Sequence, residues 1–219
     1  GNIKAQQISG RINAAFGRLA AKPAPERKVY QNLEIKGRKQ YSAKVGFYPQ
    51  VAMVFNGVPA GHPDEDALNI ALALLNNNSQ TGTMDKLVLD GELTSAGAYT
   101  RTFREQGRAI VAAIPLHDEN QRRFESTKSA EKKALKAIQQ IANGEFEDWK
   151  IDAIKAEKCR QFDLEMESNE DKAMILMNAF YNEQDLGDIL NYKDKIMAIT
   201  TDDIKRVAKK YLSDNYLAL

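Results

Sequence analysis

The chain has 219 residues, 43% of them hydrophobic and 28% charged, enough to bury the core of one large domain or two small ones. Lys and Arg number 31 against 30 Asp and Glu, a formal net charge of +1, which provides no field to hold nucleic acid or an anionic membrane. No apolar run approaches the roughly 20 residues needed to cross a bilayer, no secretory signal is visible, and a single cysteine, Cys159, excludes an internal disulfide and a thiolate zinc cage.

Ile3, Ile8, Ile12, Phe16 and Leu19 recur at helical spacing and predict an amphipathic helix over 3–19. The chain opens Gly1-Asn2-Ile3 without Met, with that helix under way at residue 3, so residues 1–219 are expected to be one domain excised from a longer chain. "AAKPAPERK" (20–28) is a Pro-bearing surface connection. "YSAKVGFYP" and "QVAMVFNGVP" carry Val, Phe and Tyr between turn residues and read as two strands. Residues 64–77 form a helix whose apolar positions, Ala67 to Leu75, are wide enough for deep burial. A short helix follows around 81–90. "LTSAGAYTRTF" and "GRAIVAAIPL", joined by "REQG", alternate as an antiparallel hairpin should.

After Pro115 helices take over. Residues 120–142 place Leu135, Ile138 and Ile141 on one face, and "NGEF" (143–146) stops that helix. A charged helix occupies 147–167, and "SNEDKAMILMNAFYN" opens on cap residues with acid in its first turn. "NYKDKIMAI" precedes "TTDDIKRVAKKYL", where Thr200 or Thr201 caps a helix with acids first and bases last. "NYLAL" closes as a strand. There is no internal repeat and no low-complexity tract. Strands first and helices later predict an α+β fold, an antiparallel sheet of about five to six strands covered on one face by long helices.

The chemistry-bearing residues are sparse. A zinc protease wants two imidazoles on one helical face beside a carboxylate. The two histidines, His62 and His117, lie 55 positions apart. "HPDED" (62–66) resembles a metal site in composition, but Pro and acid in a first turn are what a helix N-terminus favours. His117-Asp118 reads as loop and Cys159 as an ordinary helix residue. No glycine-rich phosphate loop and no G-x-S-x-G is present. Tyr41, Phe47, Tyr48, Phe55, Tyr99 and Phe103 read as core and cross-strand aromatics.

One stretch, "FNGVPAGHPDEDALNIALALLNNNSQTGTMDKLVLDGELTSAGAYT", follows a helix ending in "FGRL", a connector and a hairpin. It leads to "AIVAAIPL", long helices and the closing "ITTDDIKRVAKKYLSDNY". This order resembles a non-catalytic domain of the pitrilysin/insulinase family of zinc metallopeptidases, which includes mitochondrial processing peptidase. The resemblance implies one of the family's repeated α+β domains, two of which make each half of a clamshell around a chamber. The family's H-x-x-E-H motif is absent, so no catalytic or metal residue is assigned; zinc is expected in the catalytic domain of the parent. The family's carbonyl-binding Arg and Tyr map to Val88 and Ser95, which cannot take that role.

The resemblance therefore implies a scaffold and chamber wall of a zinc endopeptidase, inactive by itself, that helps position unfolded peptides. The alternative is a domain of an inactive homologue serving subunit assembly or partner binding. Expected partners are the zinc-bearing domain and second half of the parent, or a partner subunit, and a peptide. No nucleic acid or membrane insertion is expected, and a bacterial exported parent would place the domain in the periplasm or envelope. Arg101, Arg104 and Glu105, on the hairpin and its turn, are the candidate chamber contacts.

Overall fold

The computed structural model describes residues 4–23, 25–26, 28–29, 33–44, 46–118, 120 and 123–219. Ile3, two residues of the connector and Val45 in the first expected strand lie outside them. The chain divides into two compact units, residues 1–31 and 32–219. The first contains helix α1 (Ala5–Phe16), which has no buried residue and exposes Ile12 and Phe16.

The second unit is an α+β body. Its strands are β1 (Lys39–Gln40), β2 (Val51–Asn56), β3 (Leu93–Thr102), β4 (Gly107–Pro115), β5 (His117–Asp118), β6 (Arg123–Phe124) and β7 (Tyr216–Ala218). Five of them form one sheet in the order β1-β7-β2-β4-β3, while β5 and β6 form a small ribbon. Every pairing is antiparallel except that of β1 with β7, so the sheet is mixed at one edge. Among the described residues the expected strand over 41–49 is not formed: β2 pairs with β4 and β7, and residues 41–44 and 46–50 are loop and bend. The aromatics that suggested a strand there point to solvent, with Tyr41, Phe47 and Tyr48 all exposed. Tyr99 and Phe103 are exposed too, and of the six aromatics read as core only Phe55 is buried. His117-Asp118, expected as loop, pairs with Phe124 and Arg123.

One sheet face is closed. Val51, Met53 and Phe55 of β2 and Ala109, Val111 and Ala113 of β4 are buried on it. Three helices pack there: α2 (Glu65–Ala73), α4 (Thr127–Asn143) and α9 (Thr201–Tyr211) contribute Leu68, Leu72, Ile138, Ile141, Ile204 and Val207 to one core. On the other face Ala52, Val54, Ile110, Ala112 and Ile114 are only half-buried. The remaining helices are α3 (Thr83–Leu89), α5 (Asp148–Glu167), α6 (Asn169–Asn182), α7 (Leu186–Leu190) and α8 (Tyr192–Ala198).

Local chemistry sets the ends. Helix α2 stops at Ala73 rather than 77, because the Asn-rich segment wraps around the Asp85 carboxylate. Asp85 accepts hydrogen bonds from the Asn76 amide and from the backbone N–H of Asn77 (3.0 Å) and Gly82 (2.9 Å). Helix α4 starts at Thr127, later than expected, because β5 and β6 use the intervening residues; it ends at Gly144 in the left-handed region, φ +79°. Ser168 caps α6, accepting from Asp171 N–H at 3.2 Å. Thr200 caps α9 in a reciprocal box with Asp203, at 3.1 and 3.0 Å.

Candidate functional site

The "HPDED" stretch is occupied with holding the fold together. His62 Nδ1 accepts the Asp64 N–H at 2.9 Å. The buried Asp64 carboxylate accepts from Arg206 (2.7 Å), Lys210 (3.0 Å) and the Tyr211 hydroxyl (2.6 Å), fastening α2 to α9. Burial opposes its charge, but those three hydrogen bonds outweigh burial and hold the carboxyl well below the usual carboxylate range. Glu65 accepts from Gly61 N–H at 2.7 Å, closing the turn before the helix. His117 packs its ring on Phe124, 4.8 Å between centroids. Among the described residues no group of three or more His, Cys, Asp or Glu side chains is placed to hold a metal.

The groove that invites a ligand lies elsewhere, between α2, α5 and the outer strand β3. It encloses about 430 Å³ and is lined by Asn69, Leu72 and Ala73 from α2, Glu157 and Lys158 from α5, and Ala98 to Thr100 of β3. The Thr100 hydroxyl donates to Asn69 Oδ1 at 2.6 Å, fixing the strand on the helix.

β3 is the last strand of its sheet. In an antiparallel ladder, alternate residues turn both backbone groups to the partner and the others turn both away. The Phe103 N–H bonds Gln106 O at 2.8 Å, while Gly107 O takes the Gly57 N–H at 3.0 Å on the opposite side. With Thr102 opposite Gly107, this phase turns the N–H and C=O of Ala96, Ala98 and Thr100 outward. Among the described residues these outward groups have no hydrogen-bond partner. Unpaired edge groups of this kind are a template for an added strand.

A larger cleft of about 880 Å³ shares Asn69, Lys158 and Gln161 with the groove and continues between α2, α5 and the α6–α8 segment. Burial pushes the Asp66 carboxyl up against the attraction of Lys195 and Lys158, and pushes the Lys158 ammonium down against Asp66 and Glu157. Burial also raises the Tyr192 phenol, with Asp66 adding to the effect. None of these groups stands beside a nucleophile paired with a base.

The three candidate chamber contacts lie on the end of β3 and the turn that follows it. Arg101 sits on the open sheet face with its guanidinium 5.9 Å from the Tyr99 ring. Arg104, in the turn, forms an ion pair with Glu183, a cleft residue in the left-handed region. Glu105 shares that turn. Val88 lies half-buried in α3, and Ser95 is exposed on β3 opposite Ile114. Sequence reasoning did not anticipate the outward groups of Ala96, Ala98 and Thr100. The available signal was a ten-residue alternating run, but which strand lies outermost is a property of the assembled sheet.

The zinc implied by the resemblance can be tested on the groove itself. On a helix, H-x-x-E-H places its ligands and base at i, i+3 and i+4. The α2 residues lining the groove at that spacing are Asn69, Leu72 and Ala73, one amide and two hydrocarbons. They do not fit zinc.

A family model described as the peptidase M16 inactive domain matches residues 1–158. The chain belongs to that family. No curated protein matches the chain. Solved structures share the fold of this M16 inactive domain at low identity. A protease from Helicobacter pylori superposes with TM-score 0.85 at 16% identity, covering 100% of this chain and 52% of its own. A peptidase M16 inactive domain from Pseudomonas fluorescens gives 0.71 at 16%, covering 98% and 49%. A chain of complex III2 from Candida albicans gives 0.72 at 16%, covering 100% and 52%. The M16 inactive domain thus spans about half the length of these solved chains.

Proposed function

We propose that this M16 inactive domain is a non-catalytic scaffold and chamber wall of a zinc-dependent endopeptidase. It holds an extended peptide along β3 while the zinc chemistry is performed by a companion domain or subunit. The observation that carries this reading is the unpaired outer edge of β3 facing a groove. Backbone pairing suits an unfolded substrate because it reads the main chain and tolerates any side chain. Asn69, Leu72 and Ala73, the α2 residues that line the groove at the spacing of a zinc motif, support assigning the cleavage step elsewhere. Arg101 and Arg104 are proposed to bound the far end of the same strand, the first on the open sheet face and the second pinned to Glu183.

The test removes one outward donor. Ala98→Pro deletes an N–H that makes no ladder bond, and proline is tolerated on edge strands. Binding of an unstructured ten-residue peptide, read by fluorescence anisotropy, should weaken about tenfold, the scale of one lost hydrogen bond. Unchanged binding would remove β3 as the peptide site. In the parent protein, changing Arg101 and Arg104 together to Ala should slow peptide cleavage while the fold persists; cleavage unaffected at every peptide length would release both from the wall. Peptide hydrolysis by the isolated chain would overturn the scaffold reading.

The match to a chain of complex III2 favours a second reading, a domain of an inactive homologue that serves assembly. An H-x-x-E-H motif elsewhere in the parent polypeptide decides for the peptidase; its absence from the parent and from every subunit that binds it decides for assembly.

A further inference from the structure

Helix α6 turns most of its large apolar side chains outward. At about 100° per residue, Asp171, Ile175, Asn178, Ala179 and Asn182 share one side of the helix. Met174, Leu176, Met177, Phe180 and Tyr181 share the other. The first side faces the molecule: Ala179 is buried, and Ile175 and Asn178 line the large cleft. All five residues of the second side are exposed, Phe180 to 87%. A surface helix ordinarily turns its apolar stripe to the core and its amides to water. Here the large apolar side chains point out, while on the inner side Asn178 lines the open cleft and Asn182 Oδ1 is buried without a partner among the described residues. The next helix, α7, exposes Leu186 and Leu190 as well. Large exposed apolar side chains gathered on one side of a helix mark an interface.

The charge around it narrows the partner. Between Asp163 and Leu190 there are eight acidic side chains and one basic one, Lys172. Glu165, Glu183, Asp185 and Asp188 line the cleft on the inner side, Asp163 is paired with Lys193, and the acids beside the outward face are Glu167 and Glu170 at the turn leading into α6. A two-fold contact with a second copy would set this acidic rim against itself, and an anionic bilayer would repel it. A partner face with an apolar centre and a rim of Lys and Arg complements it. The solved chains that this one matches over its whole length are about twice as long, so such chains carry a companion half of similar size. We propose that the outward face of α6, with Leu186 and Leu190, is the docking surface for that companion M16-type half. The identity of the partner rests on the scaffold reading above; the surface does not depend on the peptide groove.

The test mixes the chain with the separately expressed H-x-x-E-H half of its own parent and reads binding by titration calorimetry and sedimentation. A one-to-one complex is expected, loosened by added salt. Phe180→Asp with Met177→Asp should weaken it roughly 30-fold or more, as loss of a central apolar anchor does. Glu167→Lys with Glu170→Lys should weaken it too. Both side chains of the first pair already face water, so circular dichroism and the urea midpoint of the chain should not move. Failure of the halves to bind, or equal binding by the Asp variant, would overturn the assignment. Dimerisation of the chain alone that Phe180→Asp abolishes would give the face to a second copy. Cosedimentation with phosphatidylcholine–phosphatidylglycerol vesicles would give it to lipid. Peptide binding at β3 is measured on the same samples: its loss with the companion still bound would discard the groove and leave this surface standing.

Discussion

Asp64 combines a buried carboxylate with three donors from one helix, and the sign of its contribution follows from its depressed acidity. An unfolded Asp titrates near 3.9, roughly, and the folded group lies lower, so the stabilisation is complete above about pH 5 and is lost as pH falls through the folded value. Asp64→Ala should cost about 2 kcal/mol at neutral pH, the scale of a hydrogen-bonded charge. The gap between variant and parent urea midpoints should narrow at pH 3, and a constant gap would show that charge is not what anchors α9. Leu72, 1% exposed within the core, sets the other extreme. Leu72→Ala should cost about 2–5 kcal/mol, whereas His62→Ala, which loses one acceptor in a turn, should cost about 1 kcal/mol or less. The reverse order in urea melts would return the opening of α2 to functional candidacy. The acids of this stretch were legible as helix-start residues. Their partners were not, because Arg206 and Tyr211 lie 142 and 147 positions away and local spacing carries no information about them.

At the scale of elements, the β3–β4 hairpin shows how little side chain the sheet tolerates at one end. A Cβ on Gly107 would run into the backbone carbonyl of Val58, which cannot swing aside. Gly107→Ala should therefore cost about 1–3 kcal/mol. Gly97, on the neighbouring strand, would meet nothing within 4 Å, so Gly97→Ala should be neutral or mildly stabilising in thermal melts. Equal melting of the two variants would deny the close approach. Element types were mostly readable from periodicity and capping residues, as with Thr200 and Ser168. One error has a clear physical origin. Tyr41, Phe47 and Tyr48 have strand composition, yet all three face solvent; Met174, Leu176, Met177, Phe180 and Tyr181, apolar enough for a core, are exposed in the same way. Composition reports what would gain from burial; whether a neighbour is there to supply it is decided by the tertiary arrangement.

For the whole molecule, the proposed role is that of a wall, with the metal held by another part of the assembly. Zinc analysis of the purified chain after dialysis should find no stoichiometric metal, since three protein ligands are the usual minimum and none converge among the described residues. About one retained zinc per chain would refute that. The sheet order has a different consequence, one of timing. β7 is made last, yet it lies inside the sheet between β1 and β2, with the Tyr216 ring 5.1 Å from Phe55 and its hydroxyl donating to Glu131 at 2.8 Å. During synthesis β2, β3 and β4 emerge from the ribosome long before residues 216–218, so the β2 edge that β7 will occupy stays open until those residues are made. A nascent chain with an open apolar edge is exposed to mispairing for that interval. A chain cut before Tyr216 would keep that edge open, an unpaired strand that other chains can reach.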